Sequence, residues 1–385
     1  MDERELIKVW RGKVHMGWSI KLGTVLGIAV HMHLTFLLLI AWVAASHWMR
    51  DGSAIAAATG VGFILALFAC VLLHEFGHSL MARRYGIGTR DITLLPIGGL
   101  ARLEKMPEKP KQELWIALAG PAVNVVIAAL LFLWLQITGG WEPLANLNVS
   151  GGSFAGRLLI VNLFLVGFNM LPAFPMDGGR VLRALLAMRM DYTKATQTAA
   201  ATGQFMAFVF GFMGLFGNPF LLFIAFFVWI GAAQEAQHVQ VKSSLEGVTT
   251  ERAMQTNFKV LSSAHTLQDA IDLIIEGSQQ DFPVTWGEEV IGILTRSDMM
   301  VALAQTGTGA RVADVMRREF ETVQANEQLG PVLKKLTETD LRTLPVLRDG
   351  RLAGLLTLEN VSEFIMIESA LRTQKHDHPA PRMGA

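Results

Sequence analysis

Five stretches of this chain, 22–49, 52–74, 114–141, 158–176 and 195–234, contain no aspartate, glutamate, lysine or arginine. A helix that crosses a bilayer needs roughly 20 apolar residues, so each of the first four stretches can hold one crossing. The fifth is interrupted by Gly217-Asn218-Pro219, a turn signal, and reads as two crossings. The expectation is about six transmembrane helices. Composition agrees, with only 17% charged residues against about 25% in soluble domains.

Orientation follows from lysine and arginine, which accumulate on the cytoplasmic side. Lys8, Arg11, Lys13 and Lys21 precede the first crossing, seven basic residues from Arg83 to Lys111 follow the second, and Arg180, Arg183, Arg189 and Lys194 follow the fourth. Only Arg50 and Arg157 lie between crossings on the other side. Both termini are therefore expected in the cytoplasm. The segment Met1 to Lys21 is polar and has no cleavable signal pattern, so the first apolar segment is expected to stay in the mature protein. The net charge is zero, which gives no reason to expect a nucleic-acid partner, and the single Cys70 excludes an intramolecular disulfide. Cys70 reads as an inert core residue.

Two segments are too broken to span and too apolar for ordinary loops. Residues 13–33 alternate in short runs around Gly17, Gly23 and Gly27, and 86–105 set Ile92, Leu94, Ile97 and Leu100 among glycines and Pro96. Both read as small strands at the membrane, the second as a re-entrant hairpin, since non-helical backbone at that depth must pack on protein or line a cavity. From about Leu245 the composition turns soluble and repeats. Ala253-Met254 recurs as Val315-Met316, Phe282-Pro283-Val284 as Leu344-Pro345-Val346, and Gly292-Ile293-Leu294-Thr295 as Gly354-Leu355-Leu356-Thr357, always 62 residues on. A constant offset marks a duplicated unit. Each copy reads as an amphipathic helix, two strands and a second helix. The boundaries are 1–240 for the membrane domain, 245–370 for the repeat pair (248–307 and 310–369), and 371–385 for a flexible tail.

The second crossing ends in His74-Glu75-Phe76-Gly77-His78. Positions i and i+4 share a helix face, so two imidazoles can bind one metal while the adjacent glutamate serves as a base. Ionisable groups inside a membrane are usually functional; the competing reading is a helix end already among polar headgroups. A catalytic zinc needs a third protein ligand and an open position. Asp177, in Asn169-Met170-Leu171-Pro172-Ala173-Phe174-Pro175-Met176-Asp177-Gly178-Gly179-Arg180, is the candidate, with a plain helix cap as the alternative. Depth favours the ligand. His78 lies roughly 7.5 Å along a helix from Arg83, and Asp177 roughly 4.5 Å from Arg180, and both crossings run inward. His31 and His33, at a membrane entry, read as local hydrogen-bonding groups, and Glu235 as a solvated group.

HEFGH at 74–78 and Asn169 to Gly178 resemble the HExxH and NxxPxxPxDG motifs of the site-2 protease family of intramembrane metalloproteases. Thr35-Phe36-Leu37-Leu38 and Gly120-Pro121-Ala122-Val123-Asn124 look like that family too, and the resemblance covers about 1–240. Met176 stands where members often have leucine. The repeats resemble a tandem cystathionine-β-synthase (CBS) pair. The resemblance implies an α-helical membrane protein with small membrane-associated strands, plus a soluble α/β CBS pair. It also implies zinc on His74, His78 and Asp177, with Glu75 moving the proton between water and leaving amine and Asn169 holding the substrate backbone or oxyanion. The implied substrate is a transmembrane protein cut in or near its helix, within a lipid membrane of a prokaryotic cell. In the repeats, Thr295 and Asp298 match the residues that bind phosphate and ribose of an adenine nucleotide (ATP, ADP or AMP); the second copy has Thr357 but Asn360 in place of the acid. A purely structural or homodimerising pair is the alternative.

Two other classes compete. A CBS-gated transporter would also explain membrane histidines, but transport requires no glutamate between them, and the membrane halves show no repeat. A non-catalytic scaffold would not need His74, Glu75, His78 and Asp177 together.

Overall fold

The computed structural model describes residues 19–105, 107, 109–139, 153–338 and 342–377. The boundary between two compact units falls between Val239 and Gln240.

In the first unit, β1 (Ser19–Val25) turns through Leu26 and Gly27, both at positive φ, into β2 (Ile28–His33). The helix α1 (Leu34–Asp51) begins where His33 accepts a hydrogen bond from the Thr35 amide, so this histidine bonds locally as expected. Next come α2 (Ala54–Arg84), β3 (Thr89–Leu95), β4 (Gly98–Leu103), α3 (Pro110–Ile137), α4 (Phe154–Asn169), α5 (Asp177–Ala187), α6 (Tyr192–Phe216) and α7 (Phe220–Leu245). The strands expected in 13–33 and 86–105 form one sheet in the order β1-β2-β3-β4, with β2 and β3 parallel; residues 13–18 lie outside the described part. The far edge of β4 has no partner strand among the described residues.

Of the six or so expected spans, four are supported by helix length. Among the described residues four helices, α2, α3, α6 and α7, are long and apolar enough to cross a membrane, whereas α1 and α4 are apolar but shorter. The apolar stretch 22–49 spends residues 22–33 on β1, β2 and their turn. The stretch 158–176 stops being helical at Asn169, because Pro172 and Pro175 cannot continue the backbone hydrogen-bond ladder. The loop thus freed is the one that leads to Asp177. It is packed tightly: Ala173 and Met176 meet Ala207 and Val228, and Phe174 meets Ala199, Ala200 and Ala232. Small residues let the helices close on it. A β-carbon on Gly231 would come within 2.6 Å of the Pro175 ring, and one on Gly203 within 3.2 Å of Ala173. Outward-facing phenylalanines on α6 and α7, among them Phe208, Phe212, Phe223 and Phe226, suit lipid.

The second unit contains β5 (Leu261–Ser262), α8 (Leu267–Glu276), β6 (Phe282–Trp286), β7 (Glu289–Leu294) and α9 (Arg296–Thr306). The short α10 (Val312–Val315) precedes the second set, β8 (Val323–Gln324), α11 (Leu329–Glu338), β9 (Thr343–Arg348), β10 (Arg351–Thr357) and α12 (Leu358–Asp377). Each copy has a three-stranded sheet, one more strand than its sequence suggested, because β5 and β8 are only two residues long. Phe282 pairs with Leu294 and Leu344 with Leu356, the same register 62 residues apart. The copies exchange contacts reciprocally. The Leu267 amide bonds the Ala310 carbonyl and the Leu329 amide the Val248 carbonyl. Met316 fills the space beside Gly292, and Met254 the space beside Gly354. The helix α12 runs to Asp377, past the start of the expected tail; the prolines that would stop it come only at 379 and 381. Residues 378–385 lie outside the described part.

Candidate metal centre

The last turns of α2 present a different residue to each neighbour. Phe76 packs into the sheet with Ile28, Val30 and Ile92. Gly77 faces α3 so closely that a β-carbon would come within 2.7 Å of the Ala119 carbonyl oxygen. His74 and His78 share the remaining face, with ring centroids 4.7 Å apart. Asp177 arrives from the other motif as the first residue of α5, where the exposed amides of the helix start favour a negative charge. The N-cap itself is Met176, so Asp177 is the first helical residue and not the cap. The two glycines after it are required sterically: a β-carbon on Gly178 would lie 2.2 Å from the Leu171 carbonyl oxygen, and one on Gly179 2.7 Å from the Ala173 carbonyl carbon.

The three expected ligands meet. His74 Nε2 and His78 Nε2 are 3.0 Å apart, and each is 3.1 Å from Asp177 Oδ2. Among the described residues this is the one group of three or more histidine, cysteine or acidic side chains able to hold a metal. All three are less than a tenth exposed. Each Nδ1 already has an acceptor: the Asn124 Oδ1 at 2.5 Å for His74, the Ile116 carbonyl at 2.6 Å for His78. Both Nε2 lone pairs therefore point at each other and at a carboxylate, an arrangement that repels unless a cation lies among them. The donor set suits zinc, and ligand atoms on a tetrahedron with bonds of about 2.0–2.1 Å stand about 3.3 Å apart, close to the edges found here. Three protein ligands leave the fourth position open. Gly120 forms one wall: a β-carbon there would lie 2.2 Å from His78 Nε2 and 2.7 Å from His74 Nε2.

Glu75 is half-buried, and its side chain lies against Gly99 of β4. Asn169 closes α4, also half-buried. Further along α5, Arg183 is almost fully buried between Glu113 of α3 and Glu235 of α7, and it lies over the rings of Phe174 and Tyr192 at 5.0 and 5.1 Å. Glu235, expected to be solvated, is thus an ion-pair partner. A lone acid near a helix end gives no sequence signal of a partner 52 residues away.

In the repeats, Thr295 caps α9 by accepting from the Asp298 amide, and its hydroxyl donates to Asp298 Oδ2 at 2.6 Å. Thr357 and Asn360 repeat that cap. The Asp298 carboxylate also receives two bonds from Arg317, at 2.6 and 3.0 Å, which hold it below the ordinary carboxylate range. At the 62-residue offset, the counterpart of Arg317 is Gln255 and that of Asp298 is Asn360, so this ion pair can form only once.

Comparison with known proteins gives a consistent picture. The model of peptidase family M50 matches residues 62–155 and 144–213, and that of the CBS domain matches 250–305 and 312–367. A zinc metalloprotease of Methanocaldococcus jannaschii is 31% identical over 347 residues, 90% of this chain and 96% of that one. Stage IV sporulation protein FB of Bacillus subtilis is 30% identical over 157 residues, 40% of this chain and 51% of that one. Among solved structures, a site-2 protease from Methanocaldococcus jannaschii is 38% identical, with a TM-score of 0.43, covering 57% of this chain and 95% of that one.

Proposed function

The chain belongs to peptidase family M50 as a membrane-embedded zinc metalloprotease of the site-2 type with a C-terminal CBS pair, and from that premise we infer which residues do the work and on what. His74, His78 and Asp177 hold the zinc. Bound there, zinc would supply Lewis-acid polarisation of the peptide carbonyl and would lower the pKa of a water to about 7. Glu75 takes the proton of that water and passes it to the leaving amine, and Asn169 holds the substrate carbonyl as charge develops on its oxygen. The observation that carries this reading is the convergence of two imidazole nitrogens and one carboxylate oxygen within 3.1 Å.

The substrate is a transmembrane protein, cut nearer its cytoplasmic end. A helix hides its peptide bonds in its own ladder, so the segment must unwind. The open edge of β4, with Glu75 against Gly99, supports binding of the unwound segment as an added strand. Basic residues around the inward ends of the helices support cytoplasmic termini, and the archaeal and bacterial relatives support a prokaryotic cell membrane. The division of labour is 1–240 for catalysis and 245–370 for regulation. The Thr295–Asp298 cap supports an adenine nucleotide at the first copy, where its ribose must displace Arg317. Exposed Val301 and Ile367 on α9 and α12 support a homodimer through the repeats.

The test is incubation of purified protein with single-span membrane proteins, with fragments identified by mass spectrometry. One cut near the cytoplasmic end, lost with a chelator and restored by zinc, is expected. Equal cleavage by His74→Gln or Asp177→Ala would overturn the assignment.

A further inference from the structure

We propose that Asn162, which lies in neither motif, is a positioning residue that sets through Asn124 which nitrogen of His74 carries its proton. The inference rests on the reading of His74 as a zinc ligand.

Asn162 and Asn124 are fully buried. Asn162 Nδ2 is 2.8 Å from the carbonyl of Leu158, one helical turn earlier in α4. A backbone carbonyl only accepts, so the NH2 of Asn162 must face it, and its Oδ1 must face Asn124. There it accepts from Asn124 Nδ2 at 2.8 Å. Asn124 has then used its NH2 in that direction, and its Oδ1 faces His74 Nδ1 at 2.5 Å. An amide oxygen has no proton to give, so Nδ1 of His74 must be the protonated nitrogen. The lone pair is left on Nε2, 3.1 Å from Asp177 Oδ2.

His78 reaches the same state more directly, since its Nδ1 donates to the Ile116 carbonyl at 2.6 Å. Each imidazole thus takes its tautomer from a backbone carbonyl, one in a single step and the other through two amides. The long route has a weakness the short one lacks. Without Asn162, the Asn124 amide is free to rotate and offer NH2 to Nδ1, which would force the proton onto Nε2, where the metal must bind. Partners that orient a ligand histidine typically change metal affinity by about 10- to 100-fold when removed.

The experiment uses the full-length protein in nanodiscs, comparing wild type with Asn162→Leu and, should that variant not accumulate, Asn162→Ala. Zinc affinity is measured against a competing chelator, and the imidazole N–H resonances of the zinc-loaded protein are followed by NMR, assigned with His74→Gln and His78→Gln. The expected result is a loss of affinity of about 10- to 100-fold. The His74 Nδ1–H signal should shift and exchange faster while that of His78 stays in place. Unchanged affinity with an unchanged His74 signal would overturn the proposal. So would the loss of both imidazole signals together, which marks a scaffolding role. If wild-type zinc binding survives His74→Gln, the ligand assignment itself falls, an outcome distinct from the other two.

Discussion

Gly120 and His78 stand so close that no side chain fits between them: a β-carbon would lie 2.2 Å from the ring nitrogen that faces the metal position. The rings cannot retreat, because both Nδ1 atoms are tied to acceptors at 2.5 and 2.6 Å. Gly120→Ala should therefore lose zinc by about 100-fold or more in affinity while inserting normally into the membrane. Metal analysis on purified protein checks this; wild-type zinc content would show that the histidines can move aside.

Glu75→Gln separates binding from chemistry. Glu75 lies against β4 and is not one of the three converging donors, so the variant should keep its zinc. Losing the proton carrier should slow cleavage by about 10²–10⁴-fold. Both quantities are to be read on one preparation. Cleavage at the wild-type rate would remove Glu75 from the mechanism.

If the substrate must unwind, its own helix stability enters the rate. Glycine costs a helix about 1 kcal/mol relative to alanine, so one such change near the cut should speed cleavage by about fivefold, and replacing native glycines with leucine or alanine should slow it similarly. Initial rates on a substrate series decide this. Rates indifferent to the changes would argue that the segment arrives already extended.

Arg183 is buried with two carboxylates, Glu113 and Glu235. Removing one member of such a cluster leaves uncompensated buried charge and costs about 3–5 kcal/mol. Arg183→Met should sharply lower the unfolding temperature, and the triple variant Arg183→Met/Glu113→Gln/Glu235→Gln should recover most of the loss. Failure of the triple variant to recover would mean that Arg183 acts chiefly through its packing on Phe174 and Tyr192.

The Asp298–Arg317 pair gives the repeats an acid limit. Its hydrogen bonds to Arg317 hold the Asp298 carboxyl below its ordinary value, which is about 3.9 in an unfolded chain. Because the folded value is the lower one, the stabilisation is complete above about pH 4 and disappears as the pH falls through the folded value. Unfolding of the repeat unit should therefore become easier below about pH 4, and Arg317→Gln should flatten that dependence. For the nucleotide, calorimetry on the full chain should show Asp298→Ala weakening ATP, ADP or AMP far more than Asn360→Ala. No heat at millimolar nucleotide would leave the pair as a structural module.

Four long apolar helices and the meeting of His74, His78 and Asp177 were legible in the sequence because their signals are local: charge-free runs, an i, i+4 histidine pair, and an aspartate at matching depth. The stretch 158–176 read as one crossing, and only the fold shows the helix ending at Asn169 and the loop clamped between α6 and α7. The residues that hold the ligands in place were largely silent. Asn162 is one polar residue in an apolar helix, and its meaning depends on Asn124, 38 positions earlier. Arg183 and Glu235 read as positive-side markers and a solvated acid because burial and pairing are tertiary facts. Asp298 looked available to a ligand for the same reason, since nothing local announces Arg317.

The reciprocal contacts of the repeats change what counts as a module. Met316 completes the surface at Gly292, and Met254 the surface at Gly354, so neither copy is finished by its own residues. Along the chain there are two units; judged by what completes what, there is one. A chain carrying a single copy would leave its glycine socket empty and could close only around a second molecule. The 62-residue duplication is, in that sense, a dimer whose two partners share one backbone and cannot be diluted apart.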